Sequence, residues 1–375
     1  RNVKKGYWKA HKPFRGTAGF YINELYSPFP GSKLALLVEK YLKAQHHLNL
    51  GDESYMIGFV NNTLGLSYEY RTDAPDTDTL RERAEEYQEL TVPAGGLVLT
   101  VGVDVQHDRL AIIVRAWGRG EESWLVFWGE IYAAGSCSDK ADPVWDELDK
   151  FLFGAFRHEL GFNLQVSAAS IDSSDGQTND AVYHYVRSRR GRGVKVMAIK
   201  GESNNLNREI VTPAKKIDVN AKTTKASRYG LPVFMVGTEK AKDLIDARLK
   251  LTGNGPGRMH WYQGVRDDYY NQITAEIKAP DRRRGGRKTW QPKAGVRNEG
   301  LDCEVYALHA GRTVKVHVRK PDQWDALEAQ LMQGDLLAPS VAAPVPEKPK
   351  QRSETKPQNS KPEGASLADI ARRMR

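Results

Sequence analysis

Thr100-Val101-Gly102-Val103-Asp104-Val105-Gln106 reads as a strand with two unlike faces. Side chains alternate across a strand, so the valines take one face while Thr100, Gly102, Asp104 and Gln106 take the other. The strand pattern extends over Leu97 to Gln106 and begins just after the breaker Pro93-Ala94-Gly95-Gly96. Leu110 to Trp117 follows after a short turn, and Ser123 to Ile131 follows the turn Gly118-Arg119-Gly120. Three such runs with short connections predict an antiparallel meander.

Downstream the pattern changes to alternation. Trp145 to His158 reads as a helix, Val166 to Asp172 as a strand, Asn179 to Arg189 as a helix and Val194 to Lys200 as a strand. Pro232 to Val236 is strand-like, Thr238 to Leu251 helical, and Asn298 to Arg312 closes the series as a helix. The fold class is therefore α/β, and a meander followed by α-β-α-β-α is the order of an RNase H-like mixed sheet. Ile273 to Lys278 and Thr289-Trp290 flank Asp281-Arg282-Arg283-Arg284-Gly285-Gly286-Arg287-Lys288, which reads as the tip of a hairpin.

Upstream, residues 1–95 hold helical runs at Lys33 to Gln45 and Thr79 to Gln88 between turn signals, and read as a connecting arm. Residues 96–316 form the expected catalytic body. Residues 317–375 are expected to be a flexible basic tail, Pro, Lys, Ser and Gln rich from Gly334 to Ser366, with a short terminal helix over Ser366 to Arg375. The length of 375 residues fits two domains or one with extensions. The start, Arg1-Asn2-Val3-Lys4, shows no targeting pattern and reads as a piece of something longer.

Composition narrows the function classes. No run of 18 apolar residues is present, so no membrane partner is expected. Cys137 and Cys303 are the two cysteines; without CxxC or a Cys/His cluster they argue against a structural zinc or a disulfide framework and fit a reducing compartment. The formal net charge of +9 is segregated: residues 185–225 carry eleven Lys/Arg against three Asp/Glu, and residues 278–297 carry eight against one. Two basic blocks on a chain otherwise net acidic suit a polyanion, although a solvated basic surface gives the same count.

The candidate chemistry is a set of carboxylates. Asp104 lies inside a strand, where an acid is costly unless paired or bound to a cation; Arg109 could pair with it. Asp172 ends its strand at the carboxyl end, where open α/β sheets place their sites, or simply serves the turn Ser173-Ser174-Asp175-Gly176. Asp302 sits in the first turn of the closing helix, beside the stripe Leu301, Val305 and Leu308 expected to face the sheet; a favourable helix-dipole position accounts for it equally. Together two strands and a helix would deliver three hard oxygen donors to one point, a set that suits Mg²⁺ or Mn²⁺, two ions being expected for phosphodiester hydrolysis. Lys200, at the end of the strand beside Asp172, could stabilise developing phosphate charge or merely solvate the strand end. Arg282, Arg283, Arg284, Arg287 and Lys288 could grip a DNA backbone without reading its sequence, or form a solvated loop.

Gly102-Val103-Asp104-Val105-Gln106 with Asp108-Arg109, Gly118 through Trp124, Ile171-Asp172-Ser173, Ala198-Ile199-Lys200-Gly201, Val236-Gly237-Thr238 with Ala241-Lys242-Asp243, and Asn298 through Cys303 together resemble the nuclease half of phage terminase large subunits of the lambda GpA type. Tyr26-Ser27-Pro28-Phe29 and Phe59 through Gly65 resemble that family's segment between its ATPase and its nuclease, so that 1–95 would be a connector. The resemblance covers roughly residues 6–313. It implies an RNase H-like endonuclease that cuts concatemeric viral DNA during packaging in the host cytoplasm, with Asp104, Asp172 and Asp302 as metal ligands and Lys200 as an active-site lysine. It also implies double-stranded DNA, a terminase small subunit and a portal or procapsid as partners. No phosphate-cradling GxxxxGK[ST] occurs in the chain. Two other readings fit the residues: a transposase- or resolvase-type nuclease on the same fold, and a non-catalytic DNA-binding assembly module.

Overall fold

The computed structural model describes residues 6–10, 16, 19–50, 52–66, 68, 76–202, 208–214, 231–281 and 287–336. Its centre is a mixed sheet. Val98–Val105 (β2), Arg109–Trp117 (β3) and Ser123–Tyr132 (β4) form the expected antiparallel meander, preceded by the two-residue strand Thr91–Val92 (β1). Asn163–Asp172 (β6) lies parallel to β2, Lys195–Gly201 (β7) parallel to β6, and Val233–Val236 (β8) parallel to β7. Across the main sheet the order is therefore β4-β3-β2-β6-β7-β8, extended beyond β4 by Met259–His260 (β9).

Both faces of the sheet are covered. On one, Leu99, Val101, Val103 and Val105 join Leu110, Ile112 and Val114 in a core closed by the helices Val144–Phe153 (α4) and Asn179–Ser188 (α5). On the other, Ala111, Ile113 and Trp117 pack with the helices Thr238–Leu249 (α6), Asp267–Ile273 (α7) and Glu299–Thr313 (α8). Such a two-faced covering is what a sheet containing parallel strands requires.

The closest approach is between β2 and α8. A Cβ at Gly102 would lie 2.0 Å from the Cys303 carbonyl oxygen and 2.6 Å from the Ala307 nitrogen, so only glycine admits the helix here. Thr100 Oγ1 donates to the Ala307 carbonyl at 3.0 Å, and Cys303 Sγ donates to the Ala111 carbonyl at 3.3 Å. The helix face against the sheet is thus the small-residue row Cys303, Ala307 and Gly311, the last against Trp117. Leu301, Val305 and Leu308, expected on that face, are buried in the same core, but backbone contact with β2 leaves room only for small side chains.

Other expectations shift as well. The helix expected over Trp145 to His158 ends at Phe153; after Gly154 the chain becomes the strand Ala155–His158 (β5), paired antiparallel with β6 and burying Phe156 and His158 alternately. The run Thr79 to Gln88 is helical only over Thr77–Glu82 (α3), because Glu85 leaves to bridge Tyr262, while Lys33 to Gln45 lies within the helix Leu34–Asn49 (α1), followed by the short helix Ser54–Gly58 (α2). Packing reaches upstream of residue 96, since Leu80 and Val92 are fully buried. The stretch expected to be a flexible tail from residue 317 instead contains the helix Pro321–Leu336 (α9). Trp324 is buried there, Leu327 and Leu331 pack beside it on the same helical side, and Glu328 pairs with Arg119 at 3.0 Å. Residues 337–375, with the expected terminal helix, lie outside the described residues. Among the described residues no helix is long and apolar enough to cross a membrane.

Candidate active site

The register between β2 and β6 pairs Gly102 with Ser170 and Val103 with Ile171, which sets Asp104 beside Asp172 at the carboxyl ends of two parallel strands. Their valine and isoleucine neighbours take the α4/α5 face, so both acids take the opposite face, towards α8. Asp302 enters from the first turn of α8, brought down by the contact at Gly102. The three sequence-predicted aspartates therefore meet in one region.

Their charges interact. Burial, then the Asp302 and Asp172 carboxylates, raises Asp104 well above the ordinary carboxylate range, against a hydrogen bond from Gln106 Nε2 at 2.6 Å. Asp172 is pushed up to about 6 by burial, although Ser174 donates to it through its Oγ at 2.7 Å and its backbone N–H at 3.2 Å. The turn role considered for Asp172 is thus real and coexists with its place in the cluster. Asp302 is raised by burial and by Glu276 and Glu299, with Lys242 opposing.

Arg109 does not neutralise Asp104. It pairs with Glu299 at 2.5 Å and with Asp108 at 2.8 Å. Arg297 joins the same Glu299 and also Glu130, which in turn holds Arg266 at 2.7 Å. Burial favours a neutral Glu299, but Arg297 and Arg109 more than reverse it and hold the group below its usual range. Among the described residues neither Asp104 nor Asp172 has an ion-pair partner.

Lys200 is not brought to these acids. Met197 and Ile199 lie in the core on the α8 side and Ala198 in the other, so alternation sends Lys200 to the face away from Asp104 and Asp172. The lysine at the cluster is Lys242 of α6, whose ammonium lies 2.9 Å from Asp302 and 2.6 Å from Glu276. Asn298 Nδ2 donates to the same two acids, at 3.0 and 2.8 Å. Desolvation pulls Lys242 down, but Asp302 and Glu276 outweigh it and raise the ammonium above its ordinary range. The signal for Lys242 was present in the sequence: it stands at i with Ile245 and Leu249 at i+3 and i+7, a charge on an otherwise apolar stripe.

Glu276 arrives on the expected hairpin, Glu276–Asp281 (β10) paired with Arg287–Pro292 (β11). Lys278 pairs with Asp243, and Trp290 Nε1 donates to Asp243 at 2.8 Å, which anchors the hairpin on α6. Arg287 and Lys288 start β11 with exposed side chains; Arg282, Arg283 and Arg284 lie outside the described residues. Among the described residues no three His, Cys, Asp or Glu side chains converge closely enough to grip one metal ion. Both oxygens of Asp302 are already engaged, Oδ1 by Lys242 and Oδ2 by Asn298.

Residues 17–324 match the family model described as terminase large subunit gpA, endonuclease domain. The chain is 30% identical over 303 residues to the terminase large subunit of Escherichia phage lambda and 29% identical over 303 residues to that of Enterobacteria phage P21. Each match covers 78% of this chain and 43% of the relative, so the chain spans less than half the length of the curated relatives it matches. No solved structure matches it. With most of its length under the family model, the chain belongs to the terminase large subunit gpA endonuclease-domain family.

Proposed function

We propose that this chain is the nuclease part of a terminase large subunit: a metal-dependent endonuclease that cuts concatemeric viral DNA during genome packaging. The observation that carries the reading is the meeting of Asp104, Asp172 and Asp302 at the carboxyl ends of β2 and β6 under the first turn of α8. The order β4-β3-β2-β6-β7-β8, antiparallel through the meander and parallel beyond it, supports an RNase H-like fold.

The residues fit a hard divalent cation, because Asp104 and Asp172 are buried acids, both raised by Asp302 and without a cationic partner among the described residues. Asp104, Asp172 and Asp302 would hold Mg²⁺ or Mn²⁺, two ions in this reading, and when bound such ions activate water and stabilise the leaving oxygen of a phosphodiester. The chain's own residues orient the donors: Gln106 fixes one oxygen of Asp104, Ser174 one of Asp172, and Asn298 one of Asp302. Arg287 and Lys288 on the hairpin would contact DNA phosphates and position the duplex. Double-stranded DNA is the substrate of this reading, with a terminase small subunit and a portal or procapsid as partners in the host cytoplasm.

Supercoiled plasmid incubated with the chain and Mn²⁺, Mg²⁺ or EDTA tests it: nicking that needs the metal and disappears in Asp104→Ala is the expected result, and metal-independent cutting or full activity in that variant would sink it. One observation favours a second reading, a non-catalytic DNA-binding module: Lys242 already pairs with Asp302. That module predicts DNA binding with neither cutting nor thermal stabilisation by Mn²⁺.

A further inference from the structure

Lys242 is a buried cation held against Asp302, and its position has a consequence for metal binding itself. Its side chain is 10% exposed and its ammonium sits between Asp302 Oδ1 and Glu276 Oε1 at 2.9 and 2.6 Å. Asn298 ties the same pair of acids from the other side, through Asp302 Oδ2 and Glu276 Oε1. Lys242 is also locked by its own helix, since Ala241, Leu244 and Ile245 around it are core residues. An ammonium so held has few other places to go, and burial makes its attraction for Asp302 strong. A divalent cation shared by Asp104, Asp172 and Asp302 would need the same carboxylate.

We propose that Lys242 is a positioning residue that acts as an internal counter-ion, competing with the divalent cation for Asp302, and that Glu276 sets the strength of the competition by drawing the ammonium towards itself. The proposal rests on the nuclease reading above. Without metal, Lys242 offsets part of the repulsion that Asp302 exerts on Asp104, so it stabilises the empty fold. With metal, the ammonium has to give up Asp302 and rely on Glu276. Glu276 comes from the hairpin whose far end carries Arg287 and Lys288, so the hairpin's seating and the cation's affinity are coupled through one side chain.

The test is Mn²⁺ binding measured by calorimetry, with melting temperatures in EDTA, on wild type, Lys242→Met, Lys242→Arg, Glu276→Gln and Asp104→Ala. Lys242→Met is expected to bind Mn²⁺ about tenfold or more tightly than wild type, to melt lower in EDTA, and to be returned towards wild type by Lys242→Arg. Glu276→Gln is expected to bind more weakly, because the ammonium is then left to Asp302 alone. Should Lys242→Met not fold, the Lys242→Met/Glu276→Gln double variant compared with Glu276→Gln isolates the same charge, and it must bind Mn²⁺ more tightly. Equal or weaker binding once the lysine charge is gone overturns the proposal. If wild type binds Mn²⁺ and Asp104→Ala does not, that failure leaves the nuclease reading standing; if no variant binds Mn²⁺, both fall. Binding that appears only after the lysine is removed supports the competition outright.

Discussion

Two buried charge clusters lie on the α8 side of the sheet, and they are settled in opposite ways. In the first, Arg115 of β3 and Glu304 of α8, both essentially inaccessible, meet at 2.5 Å. Ser123 accepts from Arg115 at 3.1 Å, and Tyr269 accepts from Arg115 at 3.0 Å while donating to Glu304 at 2.6 Å. Every charge there has a countercharge and a hydrogen bond, as a buried pair requires if it is not to cost the fold dearly. In the second, two residues earlier on the same helix, Asp302 has Lys242, whereas among the described residues Asp104 and Asp172 are met by neutral donors, Gln106 and the turn Ser173-Ser174. The difference is one of closure: the first cluster is complete without a ligand, whereas the second, the proposed metal site, leaves Asp104 and Asp172 without a countercharge among the described residues.

Removing one charge from each cluster should break the comparison, most visibly in catalysis. Asp104→Ala is expected to lower metal-dependent cutting by more than about a hundredfold, the scale on which preorganised charge acts in catalysis. The same change should raise the melting temperature in EDTA, because it relieves repulsion with Asp172 and Asp302. Plasmid nicking and thermal melting on one preparation check both halves, and a loss of stability would contradict the idea that Asp104 is uncompensated. Arg115→Met should do the reverse: it leaves Glu304 buried without a countercharge and should cost about 3–5 kcal/mol in denaturant unfolding. A near-neutral effect would mean that the first cluster is not closed in the way its distances indicate.

How much of this could be read from the sequence follows from the same two clusters. The meander, the parallel strands after it and the convergence of Asp104, Asp172 and Asp302 were legible because alternation and helical period report directly on which face a residue takes. What misled was the assumption that the bulky row Leu301, Val305 and Leu308 faces the sheet; the true contact is a row of small residues, and it can be recognised only once Gly102 is seen opposite it. Lys200 reads as a candidate because its strand lies beside the one that ends at Asp172, yet parity along β7 puts it on the other face. Lys242 and Glu276 lie 60 and 26 residues before Asp302, but they come from a helix and a hairpin whose docking no local pattern reveals. The partners of Glu304 were equally hidden, for Arg115 reads as one polar residue in an apolar strand until the helix above it is placed.

A pH experiment sharpens the contrast at smaller scale. His309 of α8 is fully buried, shares a hydrogen bond of 2.8 Å between Nδ1 and Ser170 Oγ, and is lowered to about 4, chiefly by burial and also by Lys195. A base whose folded pKa lies below its unfolded value adds stability that is present above the unfolded value near 6.5 and is lost as pH falls towards 4. By pH 5 the loss should be about 2 kcal/mol by linkage. Denaturant unfolding in EDTA between pH 7 and 5 should show this fall in wild type and a shallower one in His309→Gln. Parallel curves would remove His309 from the account of acid sensitivity.

The smallest expected effect lies furthest from both clusters, at the hairpin. Arg287 and Lys288 are exposed at the start of β11, at the opposite end of the hairpin from Glu276. If they contact phosphates, each contributes through counterion release, so Arg287→Ala/Lys288→Ala should reduce the slope of log affinity against log salt by about two and weaken binding evenly across sequences. Mn²⁺ affinity should not change, because the acids and Lys242 are untouched. A fluorescence anisotropy titration of duplex DNA at several salt concentrations decides it: an unaltered slope assigns these side chains to the solvated surface, while an altered slope together with altered Mn²⁺ affinity would show that the hairpin tip and the carboxylates respond as one unit through Glu276.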